Sequence, residues 1–594
     1  MLPTRWAPRS SPRWRAQRML WDGAPRQAVL LYACAAVGAL APVVLLVGVG
    51  RIVRAAAGDR QATWPWIAVS GAAIGVLLVG DTVRDHVAGI ARARLTFALQ
   101  ERLMTALIRP AGIAHLTDQG NLDALAGAKG ALTGFQPANA PLTQVALAGD
   151  RLGGLAACVL VGAFRWWLGA GLLLVWLAVR RPLRTVITEH VAALGGDAGK
   201  IRRAVYFFEL ATDPAAAPEV RAYGLGRWTV DRLREHWLLA MAAAWSVRAR
   251  VYRTVALTAG LVVAANLAAC WVLADAVAHH RIGLAELAAY FPAIVATSAV
   301  GGISTEDIAL AWMLASLPDV ERLEAGIARS AVPLGGARPV GDLPRRTIRL
   351  EGVRFAFGDR PVLDGLDLDI PVGASTAIVG ANGAGKTTLI RLLTRLHDPS
   401  GGRITVDGTD LADLDPADWQ RRCALISQDF ARLPFTLADN IGVGASRAAL
   451  RAAAERAGAA DLVAGLPDGW DTPLGVPGGR DLSRGQWQRV ALARALYAAE
   501  HGARILVLDE PTAWLDAAAE ADFHRRFLAM TRGLTTIIVA HRFSTVRRAD
   551  RIHVLHDGKV AESGDHDTLL ALDGRYAAMF TAQAARFAGE ATAR

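Results

Sequence analysis

The stretch Gly380-Ala-Asn382-Gly383-Ala-Gly385-Lys386-Thr387-Thr388 decides how this chain is read. The apolar run Thr376-Ala377-Ile378-Val379 precedes it and Leu389-Ile390-Arg391-Leu392-Leu393 follows, which predicts a buried strand, a glycine-rich loop and the first turns of a helix. That order builds a phosphate cradle. Gly380, Gly383 and Gly385 let the backbone curl until successive N–H groups and the positive end of the helix dipole face one anion. In such a loop Lys386 reaches the β- and γ-phosphates and the Thr387 hydroxyl holds Mg²⁺, with Asn382 and Thr388 in the same nucleotide-binding stretch.

A second element agrees with the first. Arg504-Ile505-Leu506-Val507-Leu508-Asp509-Glu510 is an apolar strand that ends in two carboxylates, where a buried strand delivers acids to the mouth of a parallel sheet. Asp509 is placed to bind Mg²⁺ through water, and Glu510 to polarise the attacking water.

Between these elements stands Leu482-Ser483-Arg484-Gly485-Gln486, followed by Gln488-Arg489-Val490-Ala491-Leu492-Ala493-Arg494-Ala495-Leu496. Here the sequence resembles the ATP-binding cassette family, whose signature is Leu-Ser-Gly-Gly-Gln at the start of a helix. The resemblance implies that Ser483, Gly485 and Gln486 meet the γ-phosphate of a nucleotide held by an opposite subunit. It therefore implies a dimer with two ATP molecules at its interface.

Other positions follow in the family's order. Gln428 resembles the glutamine that touches Mg²⁺ and reports to the membrane domain, and Leu515-Asp516 the loop that crosses to the partner. His541, after Thr536-Ile537-Ile538-Val539-Ala540, resembles the histidine on the γ-phosphate. Phe357 matches the aromatic that stacks on adenine, with Phe355 as the alternative alignment. Three departures stand out. Arg484 replaces the signature's first glycine, Trp514 takes the place of a commoner small residue, and Gly475-Val476-Pro477-Gly478-Gly479 lacks the glutamate that many exporters carry there.

The rest of the chain supplies a second domain, since 594 residues exceed one core by a wide margin. Hydrophobic residues make up 53% and the mean hydropathy is +0.28, an excess that must be concentrated somewhere. The net charge of +11 comes from arginine clustered beside apolar runs, which fits a membrane surface better than nucleic acid. Cys34, Cys158, Cys270 and Cys423 form no C-x-x-C pair, so neither a disulfide framework nor a cysteine metal site is expected.

Residues 1–27 mix arginines with Trp6, Trp14 and Trp21 and read as a basic, interfacial arm on the cytoplasmic side. Six spans are expected behind it: Ala28 to Gly50, Trp64 to Gly80, Gln144 to Phe164, Trp166 to Val179, Thr254 to Ala276 and Leu284 to Val300. Two charged helical excursions, Asp81 to Thr117 and Arg180 to Arg253, separate them. An even number returns the chain to the side it entered, which predicts a multi-pass protein of the cytoplasmic (inner) membrane with both termini in the cytoplasm. Ser330 to Arg346, with Pro333, Gly335, Gly336, Pro339, Gly341 and Pro344, reads as a linker.

The fold expected is an α-helical six-span transmembrane domain followed by an α/β P-loop ATPase domain of the ATP-binding cassette type. Its boundaries are an arm over 1–27, a membrane domain over 28–329, a linker over 330–346, a cassette over 347–580 and a tail over 581–594. The resemblance to exporter-type half-transporters implies ATP and Mg²⁺ as cofactors, a second half-transporter as partner with a homodimer favoured, membrane lipid around it, and no nucleic acid. It implies ATP-driven export of a small molecule, peptide or natural product. A lipid flippase, a multidrug exporter, an importer of a metal chelate and an ATP-binding sensor that moves nothing remain open from sequence.

Overall fold

The computed structural model describes residues 11–58, 63–130, 134–195, 198–214, 216–246, 248–330, 338–475, 479–509, 533–540 and 546–592. The chain divides into two compact units. One comprises Met1–Ile108 and Leu116–Arg329, the other Arg109–His115 and Ser330–Arg594.

The first unit is helical throughout. A short helix, Pro12–Gly23, starts at Ser11, whose hydroxyl accepts the Trp14 amide, and proline fills its first turn, where no amide partner is needed. Long helices follow over Pro25–Gly58, Thr63–Ile108, Ala140–Phe164, Trp166–Gly195, Arg248–Ala278 and Leu284–Ala296. The helix Thr63–Ile108 runs unbroken from the apolar stretch into the charged one, as its sequence predicts. Among the described residues, five helical segments are long and apolar enough to cross a membrane: Pro25–Ala56, Thr63–Ile108, Pro137–Phe164, Arg250–Ala278 and Leu284–Arg329. The other expected span, Trp166 to Val179, opens the helix Trp166–Gly195, where Arg180 and Arg181 cut the apolar run short.

The last expected span differs in detail. It is α-helical only over Leu284–Ala296, then tightens into a 3-10 turn at Thr297–Val300. The Thr297 hydroxyl accepts from Trp176 Nε1 at 3.0 Å and donates to the Ile294 carbonyl at 2.6 Å, so the turn's buried hydroxyl is satisfied. Several acids near span ends are paired. Asp307 accepts from Arg151 at 2.7 Å, Glu286 pairs with Arg54, and Asp275 lies 3.5 Å from Arg281. Small residues let the helices approach. A Cβ at Gly169 would lie 2.4 Å from the Cys158 carbonyl oxygen and 2.7 Å from the Gly162 nitrogen, so this helix pair closes over a bare backbone.

Among its described residues the second unit holds two sheets. Strands β1 (Thr347–Phe357), β2 (Arg360–Pro371), β3 (Ser375–Gly380), β4 (Gly401–Val406) and β5 (Thr409–Asp410) come first in the chain. Then follow β6 (Cys423–Ile426), β7 (Ile505–Asp509), β8 (Thr535–Val539), β9 (Arg551–His556) and β10 (Lys559–Gly564). An antiparallel sheet runs β2-β1-β4-β5, and a second sheet runs β10-β9-β3-β8-β7-β6. In the second, all neighbours are parallel except the β9–β10 hairpin. Strands β7 and β8 are buried at every residue, which is why they read as unbroken apolar runs rather than alternating ones. A helical part packs beside them, centred on Arg484–Glu500, with Trp487, Val490 and Leu496 in the core.

Two details depart from the expected boundaries. The described second half of the linker is part of the cassette: Val340 is buried among β-sheet residues, and its amide donates to Asp418 Oδ2 at 2.8 Å. Residues 109–115, from the first excursion, belong to the cassette's unit as well. The Ile113 amide donates to the Leu396 carbonyl at 2.9 Å, and Gln420 Nε2 donates to the Ala111 carbonyl at 2.8 Å.

Gly169→Ala is expected to lower the stability of the full chain by about 1–3 kcal/mol, because the methyl meets backbone that cannot turn aside. Gly162→Ala meets open space and is expected to be neutral or mildly stabilising. Thermal unfolding of the two variants in detergent checks the contrast.

Candidate functional site

Parallel β3 delivers the loop that matters. It ends at Gly380, the chain turns through Ala381 to Gly385, and the helix Lys386–Leu393 begins. Gly385 caps that helix with φ 98°, a left-handed geometry, and a Cβ there would lie 2.7 Å from Leu363 Cδ2. At Gly380, with φ 155°, a Cβ would lie 2.4 Å from the Leu555 carbonyl oxygen. Both glycines are therefore required by backbone shape and by close approach. The loop's outer edge, Asn382 and Gly383, is exposed, while Thr388 is buried one turn into the helix.

Lys386 lies over this loop. Its Nζ donates to the Gly380 carbonyl at 2.8 Å and to the Ala381 carbonyl at 3.0 Å, and the side chain is buried. Next to it the Thr387 hydroxyl donates to Asp509 Oδ2 at 3.1 Å. These two residues stand 122 positions apart in the chain. They meet because β3 and β7 flank β8 in parallel register, so that Leu508 lies opposite Ile538 and Ile538 opposite Ala377. Hydroxyl and carboxylate oxygens are the hard ligands that Mg²⁺ prefers, and the tight glycine loop leaves backbone N–H groups toward a phosphate. The residues present fit a Mg²⁺-nucleotide.

Other expected residues are found on the same unit. Gln428 is exposed on the turn after β6. Of the two alternative aromatics, Phe357 is 41% exposed at the end of β1, whereas Phe355 is buried at 8%. The rings touch edge to face with centroids 4.9 Å apart. Of the two, Phe357 is the one exposed enough to stack on a base. Glu510, Asp516 and His541, together with Trp514 and Leu515, lie outside the described residues.

Ser483 caps the helix Arg484–Glu500 reciprocally. The Gln486 amide donates to Ser483 Oγ at 3.3 Å, and the Ser483 amide donates to Gln486 Oε1 at 2.8 Å. This capping box fixes the first turn of the helix. Arg489 pins the same helix, donating to both Asp461 oxygens at 2.8 and 2.9 Å and to the Gly458 carbonyl at 2.8 Å. That hydrogen bond from Arg489 holds the Asp461 carboxyl below the usual aspartate range. Trp487 is buried beneath, with Nε1 donating to Asp481 Oδ1 at 3.2 Å.

Sequence reasoning missed one neighbour of Phe357. His397 is buried against Phe355 and Phe357, and burial, helped by Arg391 and opposed by Asp398, holds its pKa below the ordinary histidine value. No motif signals this contact, because it depends on how β1 meets the segment after the helix Lys386–Leu393.

Comparisons with known proteins agree with this geometry. The ABC transporter family matches residues 363–513. A stretch of 255 residues is 43% identical to an ATP-dependent lipid A-core flippase of Burkholderia orbicola (strain AU 1054), covering 42% of either chain. A stretch of 246 residues is 41% identical to ABC transporter B family member 28 of Arabidopsis thaliana, covering 40% of this chain and 34% of that one. The chain thus spans about two-fifths of the length of the curated flippase it matches. A solved structure of a bacterial Atm1-family ABC exporter with ATP bound superposes with a TM-score of 0.69 at 25% identity, covering 94% of this chain and 98% of that one.

Gly385→Ala is expected to weaken ATP binding by the full chain at least tenfold, since the methyl strains a left-handed residue and presses on Leu363. Titration with a fluorescent ATP analogue measures it.

Proposed function

We propose that this chain, an ATP-binding cassette fused to a helical membrane unit in the exporter fold, is one half of an ATP-driven transporter. The observation that carries the proposal is the meeting of Thr387 and Asp509 beneath the Lys386 loop, on a chain whose other unit holds, among its described residues, five membrane-length apolar helical segments.

ATP is bound with adenine stacked on Phe357 and its phosphates along Gly380 to Thr388, where Lys386 holds the β- and γ-phosphates. Mg²⁺, when bound, withdraws charge from the phosphate oxygens. Thr387, Asp509 and Gln428 hold it, directly or through water. Glu510 orients water for in-line attack on the γ-phosphorus, and His541 contacts the γ-phosphate. Ser483, Gly485 and Gln486 of a second copy close over the same phosphate, with Asp516 in the loop that crosses between copies. The capping box supports this reading, because it holds the amides of that first turn ready for an anion without a charge of their own. Both halves of the composite site are carried by one sequence, which favours a homodimer. Closing the two cassettes drives the membrane halves between inward-facing and outward-facing states, in a cytoplasmic membrane with both termini inside.

The cargo class follows from a cavity within the helical unit. It has a volume of about 670 Å³, apolar walls that include Val43, Leu46 and Leu77, and a charged end with Asp81, Arg84 and Asp150. Such a space fits an amphiphile with an apolar body and a polar head. That favours export of an amphiphilic natural product or flipping of a lipid, in line with the lipid A-core flippase named among the relatives.

The test is ATP hydrolysis by the full chain alone in lipid nanodiscs, beside Glu510→Gln. Turnover by the wild type that falls by at least about 10²-fold in the variant is expected. A folded wild type that binds ATP without turnover overturns the homodimer reading.

A further inference from the structure

Past the C-terminal end of the helix Lys386–Leu393, the segment Arg395-Leu396-His397 forms a rigid node. It leaves the helix Lys386–Leu393 with Arg395 in a left-handed conformation, φ 53°, and the Leu396 and His397 amides turn back to the Arg391 carbonyl at 2.8 and 3.2 Å. The Arg395 side chain is buried and donates to the Leu414 and Ala412 carbonyls. Gln420 Nε2 bonds to the Arg395 carbonyl at 3.3 Å and to that of Ala111 at 2.8 Å, and the Ile113 amide takes the Leu396 carbonyl. Every backbone position of the node is held from at least one side, so the His397 side chain leaves it in a fixed direction.

That direction is toward the aromatic pair of β1. His397 is 5% exposed and meets Phe357 at 5.9 Å, ring planes 89° apart, and Phe355 at 5.4 Å, planes 60° apart. Phe355 meets Phe357 at 84°. Phe357 therefore makes near-perpendicular contacts with two rings, while 41% of its own surface stays open. An edge-to-face contact orients a ring, because the positive edge of one aromatic seeks the negative face of another. Meanwhile His397 Nε2 is buried without a hydrogen-bond partner among the described residues, a cost that an apolar ring at this position would not carry. The imidazole acts here as a ring and not as a donor.

We infer that His397 is a positioning residue for nucleobase binding: it holds the Phe357 ring at the angle that presents its open face to adenine. The inference rests on the proposed role of Phe357 in stacking on adenine. Its consequence is a split between base and phosphate. Losing the ring at position 397 frees Phe357 to turn, which weakens any ligand that carries a base and spares one that carries only phosphates.

The experiment measures the dissociation constants of ATP and of inorganic tripolyphosphate, both with Mg²⁺, for the full chain in nanodiscs by calorimetry. His397→Leu is expected to weaken ATP roughly three- to tenfold, the scale of one lost aromatic contact, and to leave tripolyphosphate within twofold. His397→Phe, which keeps the ring and removes the buried nitrogen, is expected to restore ATP binding. Phe357→Ala should reproduce the loss for ATP alone. Equal weakening of both ligands by His397→Leu, or unchanged ATP binding, overturns the inference. If Phe357→Ala leaves ATP binding unchanged, the stacking role itself fails. Turnover does not enter, so a chain that binds but does not hydrolyse still gives an answer.

Discussion

The hydrogen bond from the Thr387 hydroxyl to Asp509 is the constraint on which the cassette depends. It joins the glycine loop at the end of one parallel strand to the acid at the end of another, with β8 between them. Neither residue can move to this place without the whole sheet. The side of the sheet where parallel strands end is also where helix dipoles and loop amides point the same way, so an anion and its cation fit there. Burial does the rest. Asp509 is 3% exposed and Lys386 6%, so their charges act across a space from which most water is excluded.

Around that centre the remaining parts are held by unrelated means. Ser483 is set by a capping box on a helix whose other side is core, Phe357 by an aromatic cluster, and Gln428 by the turn after an edge strand. None of them needs the others in order to fold. Such independence suits a site assembled from two copies, where the pieces must be preformed on each and meet only when nucleotide is present. The helical unit follows a different logic. Its helices meet over glycine and alanine, and several of its polar groups pair within it, as Arg151 with Asp307 and Trp176 with Thr297.

Most of this was legible in the sequence, for stated reasons. Strands β3 and β7 announce themselves because both faces are buried, and the loop between β3 and its helix because glycine is the residue that tolerates φ 98° at Gly385. Apolar length announces the membrane helices. What could not be read falls where distant segments meet. The packing of Val340 onto the cassette contradicts what its proline- and glycine-rich surroundings suggest, because composition registers the turns but not the Asp418 carboxylate that anchors them. The break after Ala296 depends on a threonine–tryptophan contact across 121 positions. His397 looks like any helix-end histidine until β1 is laid against it.

The central claim is that two copies of this chain share each nucleotide. It is tested by mixing differently tagged full chains in nanodiscs, one with Ala384→Cys and the other with Ser483→Cys, both with the four native cysteines replaced by serine. A short bis-maleimide is then added with and without Mg²⁺-ATP. The account predicts a cross-linked species carrying both tags that forms in the presence of ATP and fades without it. Cross-linking between tags that is indifferent to ATP, or a chain that stays monomeric with ATP bound, would contradict it.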